Sequence, residues 1–250
     1  MKPSYLVTLF SLFTFQLLWA ESTPEAPPLH TLQFKTLALK TGNYSGIYVQ
    51  AKPKEDPVLL SFNRYRRSKP VKYEGASPIV FFKLEKTQNP EKPFRKIPVA
   101  SYKISTENTP EDLLLLFSSK VKESPSDPEY SIFGMDDSSE AFPFNTVIIY
   151  NATPLELIGV VNKEKGQFPK GPSKPFALKD HLYAAVAFNS ESGPRVLFEN
   201  TFKFPAECRV LLILHPPKRK GSLRIQCYYV TENMEKPQPP KQEKEIEDGK

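Results

Sequence analysis

Histidine, cysteine, glycine and tryptophan are all scarce in this 250-residue chain, and each shortage excludes some chemistry. The three histidines, His30, His181 and His215, never fall at metal-ligand spacing and none neighbours a cysteine, which argues against zinc or copper. Cys208, His215, Cys227 and Met234 supply the residue types of a sandwich copper site, but with one histidine where two are wanted. Ten glycines form no phosphate-cradling loop, and no Gly-x-Ser-x-Gly elbow occurs. No metal or other cofactor is therefore expected. The single tryptophan, Trp19, falls in the first twenty residues. Residues 21–250 thus lack the broad indole faces on which sugar platforms rest.

Residues 1–20 have the pattern of an export signal. Lys2 supplies the positive start, and residues 5–18 are apolar apart from Thr8, Ser11, Thr14 and Gln16. Ala20 then puts a small residue before Glu21. The apolar run is shorter than the roughly 20 residues a membrane span needs, and no cysteine follows it to carry a lipid. The expectation is a secreted or periplasmic protein with no membrane span after cleavage near residue 20 and no nucleic-acid partner. Removing the segment takes away one lysine, so the exported chain stays basic, close to the formal +6 of the whole. Two cysteines in an exported chain suggest one disulfide.

Proline is abundant, at 26 residues, about twice the usual share. Prolines this dense interrupt helices but are tolerated at strand ends and in loops. Short apolar or alternating runs recur along the chain, among them 32–39, 58–63, 78–84, 97–104, 146–151, 155–161 and 181–188. The run 113–117 is apolar without a break and fits a strand or a short helix. The pattern predicts an all-β protein of two tandem immunoglobulin-like β-sandwich domains, with one larger β-sandwich as the alternative. The expected boundaries are a flexible leader at 21–29, a first domain at 30–119, a polar, proline-bearing linker at 120–128, a second domain at 129–232 and a solvated tail at 233–250. A weak repeat supports the division: 59–63 resembles 147–151, and 97–117 ends in an apolar run as 196–214 does.

Residues 208–227 read as two strands about a polar loop. Facing Val210 with Ile225 and Leu212 with Leu223 sets Cys208 opposite Cys227, within reach of a disulfide. The opposite face, with Arg209, Leu211 and Ile213, is half polar and is expected to be the less buried.

The most distinctive surface candidate is a basic and aromatic segment, Arg64, Tyr65, Arg66, Arg67, Lys69, Lys72 and Tyr73. Cations interleaved with tyrosines can meet an anionic polymer by charge and stacking. A second basic group is Lys218, Arg219 and Lys220 with Arg224. The acidic loop with Asp136, Asp137 and Glu140 offers carboxylates for a carbohydrate-active hydrolase. With no other catalytic constellation in the chain, a non-enzymatic binding or structural module of the cell envelope is the first expectation, with an envelope protein or anionic glycan as partner. The hydrolase is the alternative. Asn43-Tyr-Ser and Asn151-Ala-Thr fit glycosylation acceptors. Oligomeric state is not legible.

Overall fold

The two unbroken apolar runs of the sequence form central strands. In the computed structural model, which describes residues 28–105, 109–219 and 221–234, these are β7 (Asp112–Ser119) and β16 (Cys208–His215). Each has a strand on either side and a packed layer over both faces, so apolar residues are needed at every position and alternation disappears. All eight residues of β16 are buried. The expected signal segment, most of the leader and nearly all of the tail lie outside the described residues.

The described chain is all-β, with no helix. Four sheets are present. Sheet I has the order β4 (Val71–Gly75), β1 (His30–Ala38), β7, β8 (Tyr130–Asp136). Sheet II runs β3 (Val58–Leu59), β2 (Tyr48–Val49), β5 (Ile79–Lys86), β6 (Phe94–Tyr102). Sheet III runs β12 (Gly171–Pro172), β9 (Thr146–Asn151), β16, β17 (Gln226–Asn233), with β13 (Phe176–Ala177) also on β9. Sheet IV runs β11 (Glu164–Phe168), β10 (Leu157–Val161), β14 (His181–Ser190), β15 (Gly193–Lys203).

The second set of strands retraces the first. β1 lies parallel to β7, which is antiparallel to β8; β9 lies parallel to β16, which is antiparallel to β17. The companion sheets match too, with β2, β3, β5 and β6 taking the places later taken by β10, β11, β14 and β15. Of the two sequence likenesses, 97–117 with 196–214 joins equivalent strands. The other does not, because the counterpart of β9 is β1.

Three apolar clusters hold the layers. Phe34, Phe81 and Phe117 belong to the one between sheets I and II, and Leu182, Val210 and Leu212 to the one between III and IV. The third joins sheet I to sheet III through Leu37, Leu116, Leu211, Ile213 and Val230, with Phe142 from the connecting segment. The layer order is therefore II, I, III, IV. Leu211 and Ile213 lie on the face expected to be the less buried, and both are fully enclosed. Each such side chain contributes about 2 kcal/mol by leaving water.

Two expectations are corrected here. The polar segment 120–128 is the turn between β7 and β8, closed by Lys120 N–H donating to Glu129 O at 2.9 Å. The chain passes from the first set of strands to the second only after Asp136. The 208–227 hairpin has a different register: Cys208 faces Asn233, and Cys227 faces Leu214. The cysteines are thus six ladder positions apart, roughly 20 Å, and both are free thiols. The reason lies in Arg209, whose buried guanidinium meets Glu232 directly across the pair, whereas the expected register offered it only Gln226. That choice leaves residues 216–225 as a long loop and forgoes the disulfide.

Candidate functional site

Between β3 and β4 the chain runs along the edge of sheet I. Ala38 N–H donates to Asn63 O at 3.3 Å, Ser68 N–H donates to Thr36 O at 2.9 Å, and Thr36 N–H donates to Ser68 Oγ at 2.9 Å. Within this frame Asn63 N–H donates to Arg66 O, and Asn63 Oδ1 accepts from Tyr65 N–H. The tight turn projects residues 64–67 towards β17 of sheet III.

Two of the four turn residues therefore clamp the second set of strands. Arg64 lies 5.5 Å above the Tyr228 ring and 4.4 Å above Tyr65. Tyr228 itself donates its hydroxyl to Leu39 O at 2.6 Å, back across the same junction. Arg67 is drawn inward, its side chain only 7% exposed, and its Nη1 reaches both Asp137 and Glu232.

At that point the structure gathers five charges. Lys35 on β1, Arg67 and Arg209 on β16 each contact both Asp137 and Glu232, across distances of up to 3.5 Å. Three cations share two carboxylates. Arg209 is satisfied all round: Nε and Nη2 bond Glu232, Nη2 also bonds Asp137 Oδ2, and Nη1 donates to the carbonyls of Asp137 and Phe142. Arg67 is not, because its buried Nε and Nη2 meet no acceptor among the described residues. Burial pushes the Glu232 carboxyl upward, but Arg67, Lys35 and Arg209 override this and hold it at about 2. Breaking such a buried set by removing one partner costs about 3–5 kcal/mol.

A cleft of about 690 Å³ opens over this cluster. Its floor is the part of sheet I that sheet III leaves uncovered, with Gln33, Lys35 and Asp112. One wall is the 65–68 turn with Pro70; the other holds Asp137, Ser139, Phe144, Arg209 and residues 230–233. Asp112 is turned to Gln33, whose Nε2 donates to it at 3.0 Å. The lining carries four cations, Lys35, Arg66, Arg67 and Arg209, against three carboxylates.

The seven residues singled out in the sequence separate into three groups. Arg64 and Arg67 hold the junction. Tyr65, Arg66, Lys69 and Lys72 are exposed, and the first two also line the cleft. Tyr73 faces the core, donates its hydroxyl to Ala76 O and has its pKa raised by burial. Of the acidic loop, Asp137 is buried in the ionic cluster, Asp136 accepts from Ser138 N–H, and Glu140 is exposed. Asn43 is exposed, but Asn151 is fully buried and donates to Leu155 O and Phe168 O, so only the first is open to modification in the folded chain. Burial pushes the Cys227 thiol up to about 12 and also raises that of Cys208.

Lys35, Arg209 and Glu232 were not singled out from the sequence. Arg209 did carry a signal: a lone arginine inside an apolar strand needs a buried partner. Glu232 carried none, because its role depends on the hairpin register. Among the described residues no three His, Cys, Asp or Glu side chains are grouped to hold a metal ion, and no helix is long and apolar enough to cross a membrane. No protein-family model matches the chain, and no curated protein matches its sequence.

Proposed function

We propose that this protein is an exported, non-enzymatic binding module of the cell envelope, secreted or periplasmic after loss of residues 1–20. It contacts an anionic glycan or protein through the basic and aromatic rim of its cleft. In this reading the first set, of eight strands, and the second, of nine, are each a sandwich of immunoglobulin-like type, and the two are joined at residues 137–145. The strand order within each set is its own: a constant-type immunoglobulin domain places its first strand beside its second, and here β1 lies between β4 and β7.

The observation that carries the reading is the division of labour within 64–72. Arg64 and Arg67 bind the turn to the second strand set, and this rigid attachment leaves Tyr65, Arg66, Lys69 and Lys72 displayed beside a cleft. Exposed cations on a fixed frame attract anions without first being ordered, so they retain more of their interaction energy on binding.

Residues 21–250 would be passed over immobilised polygalacturonate, poly-glutamate and neutral dextran at low and at high salt. Retention on the acidic supports alone, weakened by salt, is the expected result. The combined Arg66→Ala, Lys69→Ala, Lys72→Ala variant should elute with the unretained fraction. Equal retention of that variant, or none of the wild type, would overturn the proposal.

A further inference from the structure

The cleft over the ionic cluster is chemically incomplete, and the missing part has a definite character. Three cations share two carboxylates within a group whose side chains are between 2% and 26% exposed. A net positive charge held away from water is costly unless a counter-charge joins it. The unmet donors sit on the same group. Nε–H and Nη2–H form one edge of the Arg67 guanidinium, the two-pronged edge that matches the two oxygens of a carboxylate. Buried donors without acceptors are rare enough to need an explanation. Arg67 lines the cleft, so one occupant can answer both the charge and the donors.

Resting on the binding role proposed above, we infer that the cleft seats the carboxylate of an acidic sugar, a uronate within a glycan chain. The carboxylate takes the free edge of Arg67, with Lys35 and Arg66 beside it. The edge is closed to solvent, so the carboxylate reaches it as the exposed side chains of Tyr65 and Arg66 turn aside on a backbone that stays fixed. The rest of the lining favours a sugar over an acidic peptide. Ser139, Thr231 and Asn233 are exposed on the far wall, and their side chains take no hydrogen bond from the described residues, which suits a ring rich in hydroxyls. Tyr65, 59% exposed, offers its face at the lip. The volume of about 690 Å³ lies within the range of small-ligand sites.

The test uses oligogalacturonate, its methyl ester and a glutamate-rich peptide as probes, with residues 21–250 labelled for NMR. The Arg67 Nε–H resonance, assigned by its loss in Arg67→Lys, should shift on adding oligogalacturonate and stay in place with the ester. Affinity for the acid should fall about tenfold in Arg67→Lys and in Tyr65→Ala, the second being an exposed change that leaves the cluster intact. Retention on acidic supports with no shift at Arg67 and equal binding of acid and ester would overturn this inference while sparing the binding role. Failure to bind any acidic probe would overturn both. A shift with the glutamate-rich peptide but not with oligogalacturonate would replace the sugar with a peptide and overturn the ligand assignment.

Discussion

His215 should make the protein lose stability under mild acid. It ends β16 at the junction of sheets I and III, 9% exposed, with its ring stacked 5.1 Å from Tyr228 and its buried Nε2 unpartnered. Burial depresses its pKa most, Lys40 and Arg64 add repulsion, and its hydrogen bond to the Leu39 backbone opposes them; the result is about 4, against 6.5 for a free imidazole. The folded chain therefore binds this proton less readily than the unfolded chain. Its contribution is complete above about pH 6.5 and is lost as pH falls towards 4, by up to about 3 kcal/mol. About 2 kcal/mol of that is gone at about pH 5. Urea unfolding followed by circular dichroism at about pH 7 and about pH 5 reads this as a midpoint lower by roughly 1 M. His215→Phe keeps a ring on Tyr228 and cannot titrate, so its midpoint should move far less. Equal acid shifts in the two proteins, or none in the wild type, would refute the reasoning.

Below about pH 4.5 a second loss begins, because protonating Glu232 removes one of the two carboxylates shared by Lys35, Arg67 and Arg209. Glu232→Gln imitates this at neutral pH and should cost about 3 kcal/mol in the same urea assay; a cost under about 1 kcal/mol would show the cluster to be loosely held. Leu211→Ala opens a cavity between sheets I and III, where Leu211 is fully buried, and should cost about 2–5 kcal/mol. An unchanged midpoint would mean that those layers do not pack as described. In Gly159→Ala the new Cβ falls 2.2 Å from Ala185 O, a backbone atom, so β10 and β14 must part at a cost of about 1–3 kcal/mol. Thiol titration in denaturant should find both cysteines free, and reductant should leave the unfolding midpoint unmoved. Recovery of fewer than two thiols would reverse the hairpin assignment.

Much of the architecture is visible in composition and local pattern. Dense proline and short apolar runs point to strands throughout, and β1, β5, β6, β9, β10, β14 and β16 fall on segments that read as strands. Position within the stack is harder to see. The run 113–117 lacks alternation because β7 is covered on both faces, a condition that depends on strands distant in sequence. The 120–128 segment has the composition of a linker and acts as a turn, since polar, proline-bearing stretches serve either purpose.

The cleft is less legible, and its ionic cluster shows why. Arg67 stands among cations that all look alike in sequence, yet only Arg67 turns inward, because the Asn63 turn aims it at β17. Its partners Asp137 and Glu232 lie 70 and 165 positions further along, and they meet only once two successive strand sets are packed face to face. Glu232 further depends on a hairpin register that local reading places six residues away. Cross-strand apolar pairing alone leaves several registers comparable. The demand of buried Arg209 for a counter-charge is what separates them: moving β17 out of line strands a guanidinium that is only 5% exposed. The same ion pair thus sets the register, keeps the cysteines apart and builds one wall of the cleft.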